Sequence, residues 1–250
     1  MSQVDITDPQ TIEQGFTLVE DILSPEQCDE VGARLLSYAS GERPAPDGLG
    51  IQREQGIEGT DLDLPPGHDV RKVSGLHADD LIRDTLISHP EVVRRMETIL
   101  EGRLRLYRAD ALMKPGRVGS EKGFHQDSPY WPIEPMSLWS CWIPLDDATV
   151  ENGCMLVIPG SHHGGALPHE EINNDYAISD QHYDLDKVIP VPMKRGTGLF
   201  FHSLVVHGTA ANRSGQSRRA ITMSYMGDHH QHTRDDRPVD YPVITAVDHG

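Results

Sequence analysis

Gly123-Phe124-His125-Gln126-Asp127 is the stretch from which the fold of this chain can be worked out. His125 and Asp127 form a His-X-Asp pair. On an extended segment residues i and i+2 share a face, so one metal ion can touch both side chains. Two ligands hold a divalent iron poorly, and a third is expected downstream. The best candidate is His207, in Leu204-Val205-Val206-His207-Gly208-Thr209. Two imidazoles and one carboxylate make a facial triad, which holds Fe(II) and leaves positions open for oxygen and a chelating co-substrate. The chain has 14 His and 39 acidic residues, so a lone His-X-Asp carries little weight and the surrounding pattern must decide.

Around the pair the pattern is β-like. Leu104 and Leu106 alternate with Arg103, Arg105 and Tyr107. Further strand-like runs are 136–145, 154–158, 188–193, 199–207 and 218–226, separated by turn residues such as Glu151-Asn152-Gly153, Pro159-Gly160 and Arg195-Gly196. Upstream, Asp8-Pro9 opens a short helix over 9–14, and residues 15–19 read as a strand. Ser24-Pro25-Glu26 starts a second helix, whose Cys28, Val31, Leu35 and Leu36 recur at helical spacing and point to a helix covering a sheet. Helical pattern returns over 77–87 and again from Ser88-His89-Pro90-Glu91 to Leu100, ended by Gly102. Residues 40–69 are rich in Gly and Pro and read as a long loop, either a lid or a surface excursion. Helices first and many short strands afterwards predict a mainly β protein with flanking α, a sandwich or jelly roll with N-terminal helices packed on the sheet. One domain over 1–250 is expected: a helical part to about 102, a β core over about 103–226 and a polar tail over 227–250.

Composition narrows the function. A chain of 250 residues with 37% hydrophobic content fits a globular enzyme. A net charge of −17 argues against nucleic acid and anionic membrane surfaces as partners; it is compatible with a neutral or cationic small-molecule substrate but selects none. No apolar run is long enough to span a membrane, and the polar N-terminus lacks signal-peptide character. Cys28, Cys141 and Cys154 are odd in number and lack metal-like spacing, so a reduced, cytoplasmic setting is expected. Nothing chooses between monomer and homodimer.

Arg218 follows His207 by eleven positions, across the turn-rich 211–217. A strand, a turn and a returning strand would bring its guanidinium beside the metal, where its planar fork suits a carboxylate. On that returning strand Arg218, Ala220, Thr222 and Ser224 share one small, polar face, while Arg219, Ile221, Met223 and Tyr225 share a face suited to packing against helices. His162, His163 and His202 are rival ligands. Only His202 has an arginine at the same offset, Arg213, which falls inside a turn, and His202 lacks the hydroxyl residue that His207 has in Thr209. His207 is preferred, with His202 as runner-up. His229, His230 and His232 in the tail are assigned no role.

His125-Gln126-Asp127, Cys141-Trp142, Glu151-Asn152-Gly153-Cys154, Ile158-Pro159-Gly160-Ser161-His162, His207 and Arg218, in that order, resemble the phytanoyl-CoA dioxygenase family over about residues 10–226. The resemblance implies a double-stranded β-helix (a cupin-like jelly roll) that uses Fe(II), 2-oxoglutarate and O2. It implies His125, Asp127 and His207 as iron ligands and Arg218 as partner of the far carboxylate of 2-oxoglutarate. By the same likeness Thr209 and Trp142 contact that co-substrate, and Lys72 matches an upstream lysine near it. The implied reaction hydroxylates a substrate C–H while 2-oxoglutarate is decarboxylated to succinate and CO2. The carboxylate of Asp127 favours hydroxylation or desaturation, since related halogenases carry a small residue there.

The substrate is less legible. Ser128-Pro129-Tyr130-Trp131-Pro132 follows the pair and is expected at the pocket mouth, where aromatic rings suit an apolar or ring-shaped compound. The family name points to an acyl-CoA, but the sequence concentrates no basic patch for its phosphates, so a free small molecule is preferred. The competing readings are a non-catalytic jelly-roll binding module, an acyl-CoA 2-hydroxylase, and a cupin-like dioxygenase that uses no 2-oxoglutarate.

Overall fold

The structure is a computed structural model that describes residues 6–55, 57, 64–172, 175–234 and 241–247. Its helices are α1 (Pro9–Gln14), α2 (Pro25–Ala39), α3 (Asp80–Ile82) and α4 (Pro90–Ile99). The strands are β1 (Phe16–Val19), β2 (Gly50–Arg53), β3 (Val70–Ser74), β4 (Leu104–Lys114), β5 (Lys122–His125), β6 (Ile133–Glu134), β7 (Trp139–Pro144) and β8 (Met155–Val157), then β9 (Glu170–Ile172), β10 (Asp175–Ala177), β11 (Ile189–Val191), β12 (Gly198–His202), β13 (His207–Thr209), β14 (Arg218–Gly227), β15 (Gln231–His232) and β16 (Val243–Ile244).

The main sheet runs β1-β12-β7-β14-β4-β3-β2, with β16 added on β4, and a smaller sheet runs β11-β8-β13-β5. All pairings are antiparallel. Helices cover one face of the main sheet. Val31 and Leu35 of α2 and Val92 and Met96 of α4 pack there with Cys141, Phe200, Ile221, Met223 and Tyr225. Burying each such side chain contributes roughly 1.5–3 kcal/mol. The other face closes on the small sheet through Trp142, Met155, Val157, Leu199, Phe201 and Ala220. This is the helix-flanked, mainly β jelly roll read from the sequence, and β14 splits its two faces as expected.

Local chemistry explains the helix starts. Asp8 Oδ1 accepts from the Gln10 amide at 2.8 Å. Ser24 and Gln27 form a capping box, with Ser24 N donating to Gln27 Oε1 at 2.8 Å and Gln27 N to Ser24 Oγ at 3.2 Å. Gly32 lets α2 sit directly on the sheet, since a Cβ there would lie 2.6 Å from the Arg219 guanidinium.

Several expectations need correction. Residues 40–69 are not all loop, because β2 lies within them and extends the main sheet through β3; residues 56 and 58–63 fall outside the described set, so the lid reading is left without a structural account there. β1 is the strand expected over 15–19, but β2 and β3 before residue 102 and β15 and β16 in the tail are not among those expected, so strands extend beyond 103–226. The helix expected over 77–87 is a 3-10 turn (Leu76–Ala78), α3 and a π-helical segment (Arg83–Ile87). The strand expected over 199–207 is two strands. β12 belongs to the main sheet and β13 to the small one, and the chain crosses between them over 203–206.

Candidate active site

β5 and β13 are adjacent in the small sheet, and His125 lies directly opposite His207. The ring centroids are 4.2 Å apart. The extended reading of His-X-Asp holds only as far as His125, where β5 ends. Asp127 has helical backbone angles, and its amide donates to Ser203 O at 2.8 Å. This turn still brings Asp127 Oδ1 to 3.8 Å from His125 Nε2. One ligand atom from each of His125, Asp127 and His207 lies within 4.8 Å of the others, and all three residues are buried.

The turn is fixed by Gln126, which is fully buried. Its Nε2 donates to Gly165 O and Leu204 O, each at 2.8 Å, and its Oε1 accepts from the Leu167 amide at 2.7 Å. The histidines are oriented alike: Nδ1 of His125 is 2.9 Å from Gly123 O, and Nδ1 of His207 is 2.9 Å from Val205 O. A carbonyl partner puts the proton on Nδ1 and leaves the Nε2 lone pair for a metal. Burial holds both imidazoles below their ordinary pKa, and His207 adds to the effect on His125. Both are therefore neutral and able to ligate at neutral pH. Asp127 Oδ2 is a buried acceptor with no partner, while Asp127 Oδ1 accepts from Arg108 Nη2 at 3.2 Å.

The triad opens on a cavity of about 580 Å³ between the two sheets. Arg218, Thr209, Trp142 and Lys72 also line it, as do Tyr130 and Trp131 from the stretch after the pair. Arg218 reaches the cavity from the main sheet, not from a neighbour of β13, so the guanidinium and the His125–His207 pair come to the cavity from opposite sheets. It is 1% exposed and lies 5.4 Å over the Trp142 ring. Its Nη1 donates to Leu112 O at 3.2 Å, and its Nε and the Trp142 Nε1 are buried donors without partners. Burial lowers the Arg218 pKa to about 10. Lys72 is held by Asp110 at 3.0 Å.

The sequence reading missed Lys114 and Arg108. Lys114 is the direct cross-strand partner of Arg218 and is 6% exposed. Burial, and then the charge of Arg218, push its pKa down to about 7. Its ammonium donates to Ser120 O, and its stem packs at Gly153, where φ is +84° and a Cβ would meet the lysine's Cδ at 3.1 Å. Two buried cations thus stand side by side, with no carboxylate in ion-pair contact among the described residues. Arg108 is turned into the cavity by a β-bulge: Ser224 pairs with Arg108 but Tyr225 with Leu106, which leaves Tyr107 as the extra residue.

The rival histidines lie elsewhere. His162 and His163 reach the backbone oxygens of Ile12 and Glu13, each at 3.1 Å, and His202 packs edge-on against Trp139 at 5.8 Å.

A model of the phytanoyl-CoA dioxygenase family matches residues 12–220. The chain belongs to the phytanoyl-CoA dioxygenase family. It is 26% identical over 224 residues to the mouse (Mus musculus) peroxisomal phytanoyl-CoA dioxygenase, an alignment that covers 85% of this chain and 65% of that protein's length. Among solved structures it resembles the non-haem alpha ketoglutarate dependent carbocyclase SnoK from nogalamycin biosynthesis, with TM-score 0.73, 22% identity and coverage of 98% of this chain and 97% of that one. It also resembles the epimerase SnoN in complex with Fe3+, alpha ketoglutarate and nogalamycin RO, with TM-score 0.68, 20% identity and coverage of 96% and 93%. At these identities the two structures establish the fold. The donor set fits the family's iron and 2-oxoglutarate. The orphaned Asp127 Oδ2 and two free Nε2 atoms suit a metal, and the orphaned Arg218 Nε and Trp142 Nε1 suit a carboxylate. No described helix is long and apolar enough to cross a membrane.

Proposed function

We propose that this chain is a non-haem iron, 2-oxoglutarate-dependent dioxygenase that hydroxylates an unactivated C–H bond of a small organic molecule. The reaction balances as R–H + O2 + 2-oxoglutarate giving R–OH + succinate + CO2. The observation that carries this reading is the pairing of a buried His-Asp-His cluster with the buried, uncompensated Arg218 across one cavity.

His125 and His207 would hold the metal through Nε2, each ring oriented by its Nδ1 on a backbone carbonyl. Asp127 would complete the set through its carboxylate, whose Oδ1 accepts from Arg108 Nη2 and whose Oδ2 has no partner. When bound, iron activates oxygen and 2-oxoglutarate supplies the accompanying electrons. Arg218 offers Nε–H to the far carboxylate of 2-oxoglutarate, with the Trp142 ring beneath its guanidinium and the Thr209 hydroxyl on the same wall. Lys114, opposite Arg218, supplies a second positive charge for that carboxylate. Lys72 is tied to Asp110, which makes it a rim residue more than a co-substrate contact. Phe201, Met155 and Trp142 exclude water from the inner wall.

The intact triad weighs against a non-catalytic binding module, and the uncompensated Arg218 against a dioxygenase without 2-oxoglutarate. The test is aerobic turnover of 2-oxoglutarate to succinate by the iron-loaded protein. Succinate formation that disappears in Asp127→Ala supports the reading; equal, background-level formation by both proteins contradicts it.

A further inference from the structure

Besides Arg218 and Lys114, a further cation in the cavity has more donors than partners. Arg108 lies with its guanidinium 5.0 Å over the Trp131 ring, and its side chain retains 30% exposure. A guanidinium carries several N–H donors, yet the one hydrogen bond Arg108 makes among the described residues is from Nη2 to Asp127 Oδ1 at 3.2 Å. Nη1 is 3.8 Å from Asp110, beyond hydrogen-bond reach, and Nε has no partner.

Three other cations lining the cavity are already matched. Lys72 pairs with Asp110 at 3.0 Å, Arg71 with Glu54 at 3.2 Å, and Lys122 with Asp175. Arg108 instead shares both of its carboxylates, Asp110 with Lys72 and Asp127 with the metal. With iron bound, the charge of Asp127 is largely taken up by the ion. Arg108 then stands as an under-compensated cation on an aromatic floor, facing the cavity.

We infer that Arg108, lying on Trp131, anchors a carboxylate of the primary substrate, so that the substrate class is a small organic acid rather than a neutral compound or an amine. The inference rests on the proposed function and names the substrate class of that same site. The guanidinium fork matches a carboxylate, and the indole face fixes the plane of the fork. Because Arg108 also touches Asp127, the anchored carboxylate lies beside the metal ligands. The C–H presented for hydroxylation is then a few bonds from the carboxylate, and the product is a hydroxy acid with its new hydroxyl near the acid group. The rival role is mere steadying of Asp127.

The test is anaerobic calorimetry on protein loaded with Fe(II) and 2-oxoglutarate. The probes are benzoate, phenylacetate and hexanoate, each compared with its primary amide. At least one acid is expected to bind about tenfold or more tightly than its amide, the scale of a charge-assisted hydrogen bond. Arg108→Gln should remove that preference when both proteins are compared at iron and 2-oxoglutarate concentrations that saturate each, as the visible absorption of the complex reports. Arg108→Lys should keep part of it. No binding by any acid, equal binding of acid and amide, or a preference that survives Arg108→Gln would overturn the inference. If Arg108 only steadies Asp127, Arg108→Gln weakens iron binding and leaves the acid–amide ratio unchanged. Failure of the wild-type protein to form the iron and 2-oxoglutarate complex shows in the loading step and counts against the parent function, separately from that ratio.

Discussion

The two faces of the main sheet are built from the same strands and do opposite things. On the helix side, Ile221, Met223 and Tyr225 of β14 and Ala109 and Ala111 of β4 are buried in apolar packing, and the Tyr225 hydroxyl is satisfied by Ile87 O at 2.8 Å. On the cavity side, one residue away along the same strands, stand Arg218, Lys114 and Arg108, and the Nε donors of Arg218 and Arg108 are not used by the protein. The first face is complete in itself, as a stable core must be. The second is incomplete without a metal and an anion, and buried groups left unpaired are a cost to the fold. Stability is therefore assigned to one face and binding to the other, and substitutions should separate them.

The largest effect is expected at the triad. His207→Ala should abolish iron binding and 2-oxoglutarate turnover, read as iron content after anaerobic loading and as succinate formed. Arg218→Met comes next. It should raise the KM for 2-oxoglutarate by roughly 10–100-fold, the worth of a charge-assisted hydrogen bond. It should also leave Tm unchanged or higher, because an uncompensated buried cation is removed. Ile221→Ala, three residues further along the same strand and on the opposite face, should do the reverse: a loss of about 2–5 kcal/mol in denaturant unfolding with KM unchanged. A fall in Tm for Arg218→Met equal to that of Ile221→Ala would erase the distinction between the faces.

Lys114 gives a smaller, pH-dependent effect. Its folded pKa, about 7, lies below the ordinary lysine value of 10.5 because of burial and then Arg218. Between these values the unfolded chain binds more protons, so this group makes stability rise with pH over that window. An anion bound beside Lys114 favours its charged form, so binding above about pH 7 takes up a proton and weakens as pH rises. The KM for 2-oxoglutarate should climb above that pH in the wild type, and the slope should flatten in Lys114→Met. The smallest effect is expected at His202→Gln, with iron stoichiometry unchanged, since this residue lies away from the cluster.

Much of the site was legible because its chemistry repeats at short range. His-X-Asp, the His207–Arg218 offset and the period-two split of β14 need only local spacing to put these residues at one cavity, although the pair turns after His125 and Arg218 comes from the other sheet. Thr209, Trp142 and Lys72, singled out by the family likeness, line the same cavity. What stayed hidden depends on backbone irregularity. Continuing the alternation of Leu104 and Leu106 would place Arg108 and Asp110 against the helices. The bulge at Tyr107 reverses the parity, and no residue there marks it in the sequence. The crossing between β12 and β13 was hidden by an unbroken apolar run, Leu204-Val205-Val206, whose members are buried in the turn itself. The strand Gly50–Arg53 was missed because all four of its residues are exposed, so it shows no alternation. Lys114 gave no sign because its burial is set by its neighbour across the sheet.

The most direct test is an anaerobic titration of the iron-loaded protein with 2-oxoglutarate, following the weak visible charge-transfer band of the chelate. The account predicts a band in the wild type, no band in His207→Ala, and a band in Arg218→Met that needs far more 2-oxoglutarate. No band in the wild type at saturating iron and 2-oxoglutarate would contradict it.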